Sequence, residues 1–169
     1  YTYDIISWSI YLSNDSVDAY YCSHVIEHID FHDVERLVKN AYNSLKKGGA
    51  LRITCPDASA LYDACLNNDY SFFSDQIEFY SKQYNYKHQY KASLENAHIL
   101  DLLVDVIATQ KCSLRINVTN TLSLEKIKLN FEKMKKIEFL DWLTSDLKFS
   151  PERAGEHITW WDYDKLSQV

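Results

Sequence analysis

Two imidazoles and a carboxylate fall within five residues at His24, Glu27 and His28, inside the stretch SVDAYYCSHVIEHID that runs from Ser16 to Asp30. Their chemistry depends on the backbone that carries them. On an α-helix, His24 and His28 would share a face and hold a divalent metal, with Glu27 beside them as a base; that is the arrangement of an H-x-x-E-H zinc hydrolase. At the end of a strand the same residues would instead stand on a rim, where an imidazole that titrates near neutral pH can give or take a proton. The flanking residues favour the strand. Val17 to Ser23 is a β-branched and aromatic run that leads straight into His24, and helix-start chemistry begins only at Asp30 and Asp33. No metal ligand is therefore expected here.

The elements that must position this corner follow from pattern. Residues 3–8, YDIISW, have strand composition, and Leu12 to Ser16 is turn chemistry. Val17 to Ser23 lacks clean alternation, as a strand buried on both faces of a parallel sheet would. Val34, Leu37, Val38, Ala41 and Leu45 recur at helical spacing. Lys46 and Lys47 suit the C-terminal end of that helix, with Gly48 as its left-handed C′ residue. Ala50 to Cys55 reads as a strand that Pro56 ends, and Asp57 caps a short helix through Asn67. A strand, a helix and a second strand make a βαβ unit, which forces the strands parallel and sets the class as α/β.

Residues 68–150 have a different character. Tyr70 to Tyr90 is rich in Tyr, Phe, Gln and Lys. Leu94 to Ala108 is helical, with Ala97, Leu100, Leu103, Val104 and Ile107 on one side. Ser123 caps a helix on which Ile127, Phe131 and Met134 share a face, and Glu138 to Leu147 forms another. The division expected is a single domain over 1–169, with a core of 1–67 and 151–169 and a mainly helical insertion over 68–150. Pro151 and Gly155 mark a loop before His157-Ile158-Thr159-Trp160-Trp161, and Asp162 caps a last helix.

Composition sets limits. The 169 residues suffice for one domain with a real core, and a formal net charge of −6 argues against a general nucleic-acid binder. The lysines between 126 and 136 alternate with Glu125, Glu132 and Glu138 and read as a solvated helix face. Four cysteines without C-x-x-C spacing read as reduced core residues of a cytoplasmic protein. No apolar run reaches the roughly 18 residues of a membrane span. No membrane partner is expected, and a homodimer is compatible with the reading.

With these pieces in order, the chain resembles the class I S-adenosylmethionine-dependent methyltransferases. It is most similar to a small bacterial group associated with surface-polysaccharide genes. The residues that carry the likeness are Asp15-Ser16-Val17-Asp18, Ser23 to His28, Leu45 to Gly49 and Pro56-Asp57, joined later by His157, Trp161-Asp162-Tyr163-Asp164 and Leu166. The resemblance implies a Rossmann-like fold and S-adenosyl-L-methionine as cofactor. It also implies methyl transfer to a small-molecule or glycan-type acceptor.

By the same resemblance, Ser7 and Trp8 would contact adenine, and Ser23, His24 and His28 would border the methionine end of the cofactor. His24 and His157 are the candidate catalytic bases. Trp160, Trp161 and Tyr84 are candidate acceptor contacts. The glycine-rich turn and the ribose-binding acid of the family do not occur among these residues, so the expectation is a piece of a longer enzyme. The alternative is a degenerate, non-catalytic methyltransferase-fold module for binding or oligomerisation.

Overall fold

A computed structural model of the chain describes residues 12–82 and 89–169. The strand expected over 3–8, together with Ser7, Trp8 and Tyr84, lies outside the described residues. Two strands form a parallel pair, β1 (Val17–Ser23) and β2 (Leu45–Thr54), joined by helix α1 (Phe31–Ser44). Among the described residues six further α-helices follow: α2 (Ala58–Leu66), α3 (Ser74–Lys82), α4 (Ile99–Ile107), α5 (Leu124–Lys133), α6 (Lys136–Thr144) and α7 (Tyr163–Leu166). Between 68 and 150 the described regular elements are all helical. No helix among the described residues is long and apolar enough to cross a membrane.

The parallel register runs from Ala19 opposite Ala50 to Ser23 opposite Thr54, so the carboxyl ends of both strands finish at the same edge. Three side chains set the helix starts as expected. Asp57 accepts the N–H of Ala60, Ser123 that of Lys126, and Asp162 that of Lys165.

The junction between α1 and β2 departs from expectation. The helix stops at Ser44, and Lys46, Lys47 and Gly48 belong to β2 instead of a helix C-terminus. Ser44 is buried and its hydroxyl bonds the carbonyl of Asn40 and the hydroxyl of Tyr20, while its carbonyl accepts the N–H of Ser16. Pairing with β1 thus captures the chain before the helix pattern runs out. Gly48 is left-handed at φ 82°, as expected for a glycine, but within an irregular stretch of strand. At Gly49 a Cβ would lie 3.0 Å from the carbonyl oxygen of Asp18 on the neighbouring strand, so this position accepts no side chain without a backbone shift.

Strand β1 is also not buried on both faces, since Tyr21 is exposed and shares its side of the sheet with Arg52, whose guanidinium lies 5.3 Å from its ring centroid. The larger apolar cluster lies among the helices instead. It is centred on α4 and draws in Leu61, Phe73, Ile127, Phe139 and Trp160. One apolar side was expected for α4, but every residue from Ile99 to Asp105 is buried. The expected stripe omitted Ile99 and Leu102, and neighbours on all sides make α4 a central helix. A smaller cluster of Ile26, Ile29, Val34 and Trp161 packs against Cys22, Ile53 and Cys55 from the sheet.

A buried polar network anchors α4. Asp105 accepts hydrogen bonds from Tyr90 Oη at 2.8 Å, Gln76 Nε2 at 3.0 Å and Arg115 Nε at 2.5 Å. Removing one partner of a buried ion pair leaves the other charge uncompensated, which costs on the order of 3–5 kcal/mol. Asp105→Ala is therefore expected to lower the unfolding free energy from urea titration by that amount at unchanged m-value. Lys46→Ala, which removes the exposed pair with Asp18, should shift it by less than about 1 kcal/mol.

Candidate functional site

Strand β1 ends in a sharp change of direction. Ser23 closes the ladder, and its hydroxyl accepts from Thr54 Oγ1 at 2.8 Å across the strand ends. His24 then turns left-handed at φ 52° while its N–H still bonds the Thr54 carbonyl at 2.9 Å. A non-glycine residue holds that conformation at a cost of order 1 kcal/mol when its surroundings fix it. Ile26–His28 follows as a single 3-10 turn, and Asp30 opens α1. His24 and His28 are therefore not stacked along an α-helix, which removes the geometry an H-x-x-E-H zinc site would need.

Glu27 lies at the centre of the corner, with its side chain only 3% exposed. Its Oε1 sits 3.1 Å from His24 Nδ1 and 3.9 Å from His28 Nε2, while its Oε2 is buried without a hydrogen-bond partner. A carboxylate only accepts, so His24 Nδ1 carries the proton and donates. That leaves His24 Nε2 as the basic nitrogen, on a side chain 68% exposed.

The C-terminal segment closes the corner from the other side. The N–H groups of Ile158 and Thr159 both donate to the Glu27 carbonyl, and Thr159 Oγ1 donates to the carbonyls of Ile26 and Ile29. His157 Nδ1 bonds the carbonyl of Val106 near the end of α4, and its backbone N–H bonds Thr109 Oγ1 at 3.1 Å. The rings of His28 and His157 meet edge-on with centroids 4.6 Å apart. Burial, and then the neighbouring His28, push the His157 imidazole down to about 4. At neutral pH it is an enclosed neutral ring, which does not suit the base role expected of it.

The two tryptophans serve as packing. Trp160 is 4% exposed and donates from Nε1 to Asp141; Trp161 is 1% exposed, donates to the Ile26 carbonyl and stacks on Phe31. The acceptor contact expected of both is not open to side chains so buried. Glu27 packs within the strand–helix corner and bonds His24, whereas Thr54 and Thr109 carried no signal in the sequence. Glu27 was inside the motif, but no pattern in the sequence linked His157 to Thr109 and Val106.

Cys22 and Cys55 flank the corner as free, half-buried thiols, pushed up to about 11 by burial and by the charge of Glu27. Cys65 and Cys112 are buried deeper and rise further. The thiolate is the reactive form, so the folded protein should alkylate with iodoacetamide at pH 8 roughly 100-fold more slowly than the denatured chain. The Cys22 and Cys55 rates should climb until the pH passes about 11. Mass spectrometry of the labelled protein reads this directly.

Residues 7–53 match the profile of the family described as methyltransferase domain. No curated protein and no solved structure matches the chain. The matched stretch takes in β1, the His24–His28 corner, α1 and all but the last residue of β2. Over residues 7–53 the chain is thus similar to the methyltransferase-domain family, and its mixed α/β arrangement with a parallel strand pair is consistent with the Rossmann-like fold of class I S-adenosylmethionine-dependent methyltransferases.

Proposed function

We propose that the protein transfers a methyl group from S-adenosyl-L-methionine to a small-molecule or glycan-type acceptor, at the carboxyl edge of β1 and β2. One observation supports this above the others. The family match covers the strand, corner, helix and strand whose parallel pairing brings Ser23, His24 and Thr54 to a common edge. Ligands of open α/β sheets bind beyond the carboxyl ends of their strands.

The residues present suit a cationic cofactor: Ser23 Oγ is an acceptor at this edge, and the Asp57 carboxylate lies just beyond the end of β2. When bound, S-adenosylmethionine supplies a methyl group on a cationic sulfur that takes back the carbon–sulfur electron pair as the methyl leaves. The chain's part is positioning and proton removal. Ser23 and His24 would border the methionine end, with Ser7 and Trp8 toward adenine. His24 Nε2 would accept the proton that the acceptor hydroxyl loses, and Glu27 would hold the ring in the required tautomer and stabilise the imidazolium that forms.

The helical segment 68–150 is read as an insertion that borders the acceptor side, with Tyr84 among its candidate contacts. The likeness to methyltransferases associated with surface-polysaccharide genes supports a hydroxyl-bearing, glycan-type acceptor. His28 is better assigned to the interior of the corner than to the cofactor, since its ring turns toward His157.

The test separates binding from proton transfer. Calorimetry should show S-adenosylmethionine binding by wild type and by His24→Gln with affinities within about threefold. Release of the demethylated product, assayed with monosaccharide and small-alcohol acceptors, should fall at least about 100-fold in His24→Gln. Undetectable cofactor binding, or unchanged turnover in His24→Gln across the pH range, would refute the proposal.

A further inference from the structure

We propose that Glu27, His28 and His157 form a binding site for a divalent first-row transition-metal cation of the zinc class. This goes beyond the methyl-transfer reading and does not depend on it.

His28 Nδ1 lies 3.2 Å from the Glu156 carbonyl, and His157 Nδ1 bonds the Val106 carbonyl. A backbone carbonyl can only accept, so both rings carry their proton on Nδ1 and leave a lone pair on Nε2. These are the second-shell bonds that orient metal-ligating histidines and raise their basicity.

The carboxylate and both imidazoles can offer ligand atoms that all lie within 4.8 Å of one another. Glu27 Oε1 and His28 Nε2 are 3.9 Å apart, too far for a hydrogen bond even if the ring were charged. Glu27 Oε2 has no partner although it is buried. Three potential ligand groups thus converge, and among the described residues the hydrogen-bond donor to the carboxylate is His24, on the outer side of Glu27. A buried carboxylate oxygen left unpaired costs several kcal/mol, and a cation is the species that would satisfy all three at once.

Two imidazoles and one carboxylate suit zinc, cobalt or iron, whereas magnesium and calcium prefer oxygen donors. Bonds of about 2.0–2.1 Å to a tetrahedral ion would set the ligand atoms roughly 3.3 Å apart. The triad would close by up to about 1.5 Å on loading, within the reach of small side-chain rotations. This donor set replaces the pairing of His24 with His28 on which the expectation of no metal rested. The second histidine comes from a residue far along the chain.

Chelator-treated protein titrated with ZnCl2 by calorimetry should bind one equivalent, and MgCl2 at the same concentrations should give no heat. Glu27→Gln and His157→Gln should each weaken Zn2+ at least about tenfold, while His32→Gln, an exposed histidine on α1, should leave it unchanged. If a variant at the triad fails to fold, Cu2+ in the wild-type protein serves instead, and electron spin-echo spectroscopy should count two coordinated imidazoles. No stoichiometric Zn2+ binding, undiminished binding in folded Glu27→Gln and His157→Gln, or a Cu2+ signal with fewer than two imidazoles would overturn the proposal. Cofactor plays no part in these measurements, so their failure is separate from failure of the methyl-transfer reading.

Discussion

The buried carboxylate of Glu27 is the constraint on which the rest of the corner depends. Its carbonyl holds the C-terminal segment through Ile158 and Thr159, and its carboxylate faces His24 on one side and His28 on the other. An acid at 3% exposure is costly to bury unless its surroundings answer it. Those surroundings come from two distant places. The sheet edge supplies His24 and His28, while α4 supplies the carbonyl that fixes His157. The core helix and the strand ends must therefore be in register for the corner to exist.

Trp160 and Trp161 maintain that register. Adjacent in sequence, they enter different apolar clusters, Trp160 the one around α4 and Trp161 the one beneath the sheet edge. The backbone at Trp161 also bridges to Asp57, where the N–H of Ala58 donates to the Trp161 carbonyl at 2.8 Å. Large aromatics that bury their rings and satisfy their N–H groups are well suited to joining two layers. They carry more of the architecture than of the chemistry.

Much of this fold was legible in the sequence because its signals were local. The strand over Val17–Ser23, the start of α1 after Asp30 and the caps at Asp57, Ser123 and Asp162 all rest on residues within a turn of the element they set. What could not be read was tertiary. Helix α1 ends at Ser44, whose carbonyl takes the N–H of Ser16 just ahead of β1, and no local pattern reports it. The all-round burial of α4 was hidden because a helix with neighbours on every side has no stripe. The approach of His157 to His28 and Glu27 was hidden for a related reason: it lies 130 residues from Glu27, and spacing within a motif is silent about it.

The corner thus offers two faces of different chemistry. His24 faces solvent at the strand ends, while His28 and His157 lie on the inner side, where they and the Glu27 carboxylate can offer ligand atoms within 4.8 Å of one another. The account stands or falls on the outer face being a cofactor cleft. A crystal structure with the demethylated product of S-adenosylmethionine decides this most directly. The account predicts the ligand across the carboxyl ends of β1 and β2, with its sulfur beside Ser23 and His24. A ligand bound on any other surface, or a sulfur remote from His24, would contradict it.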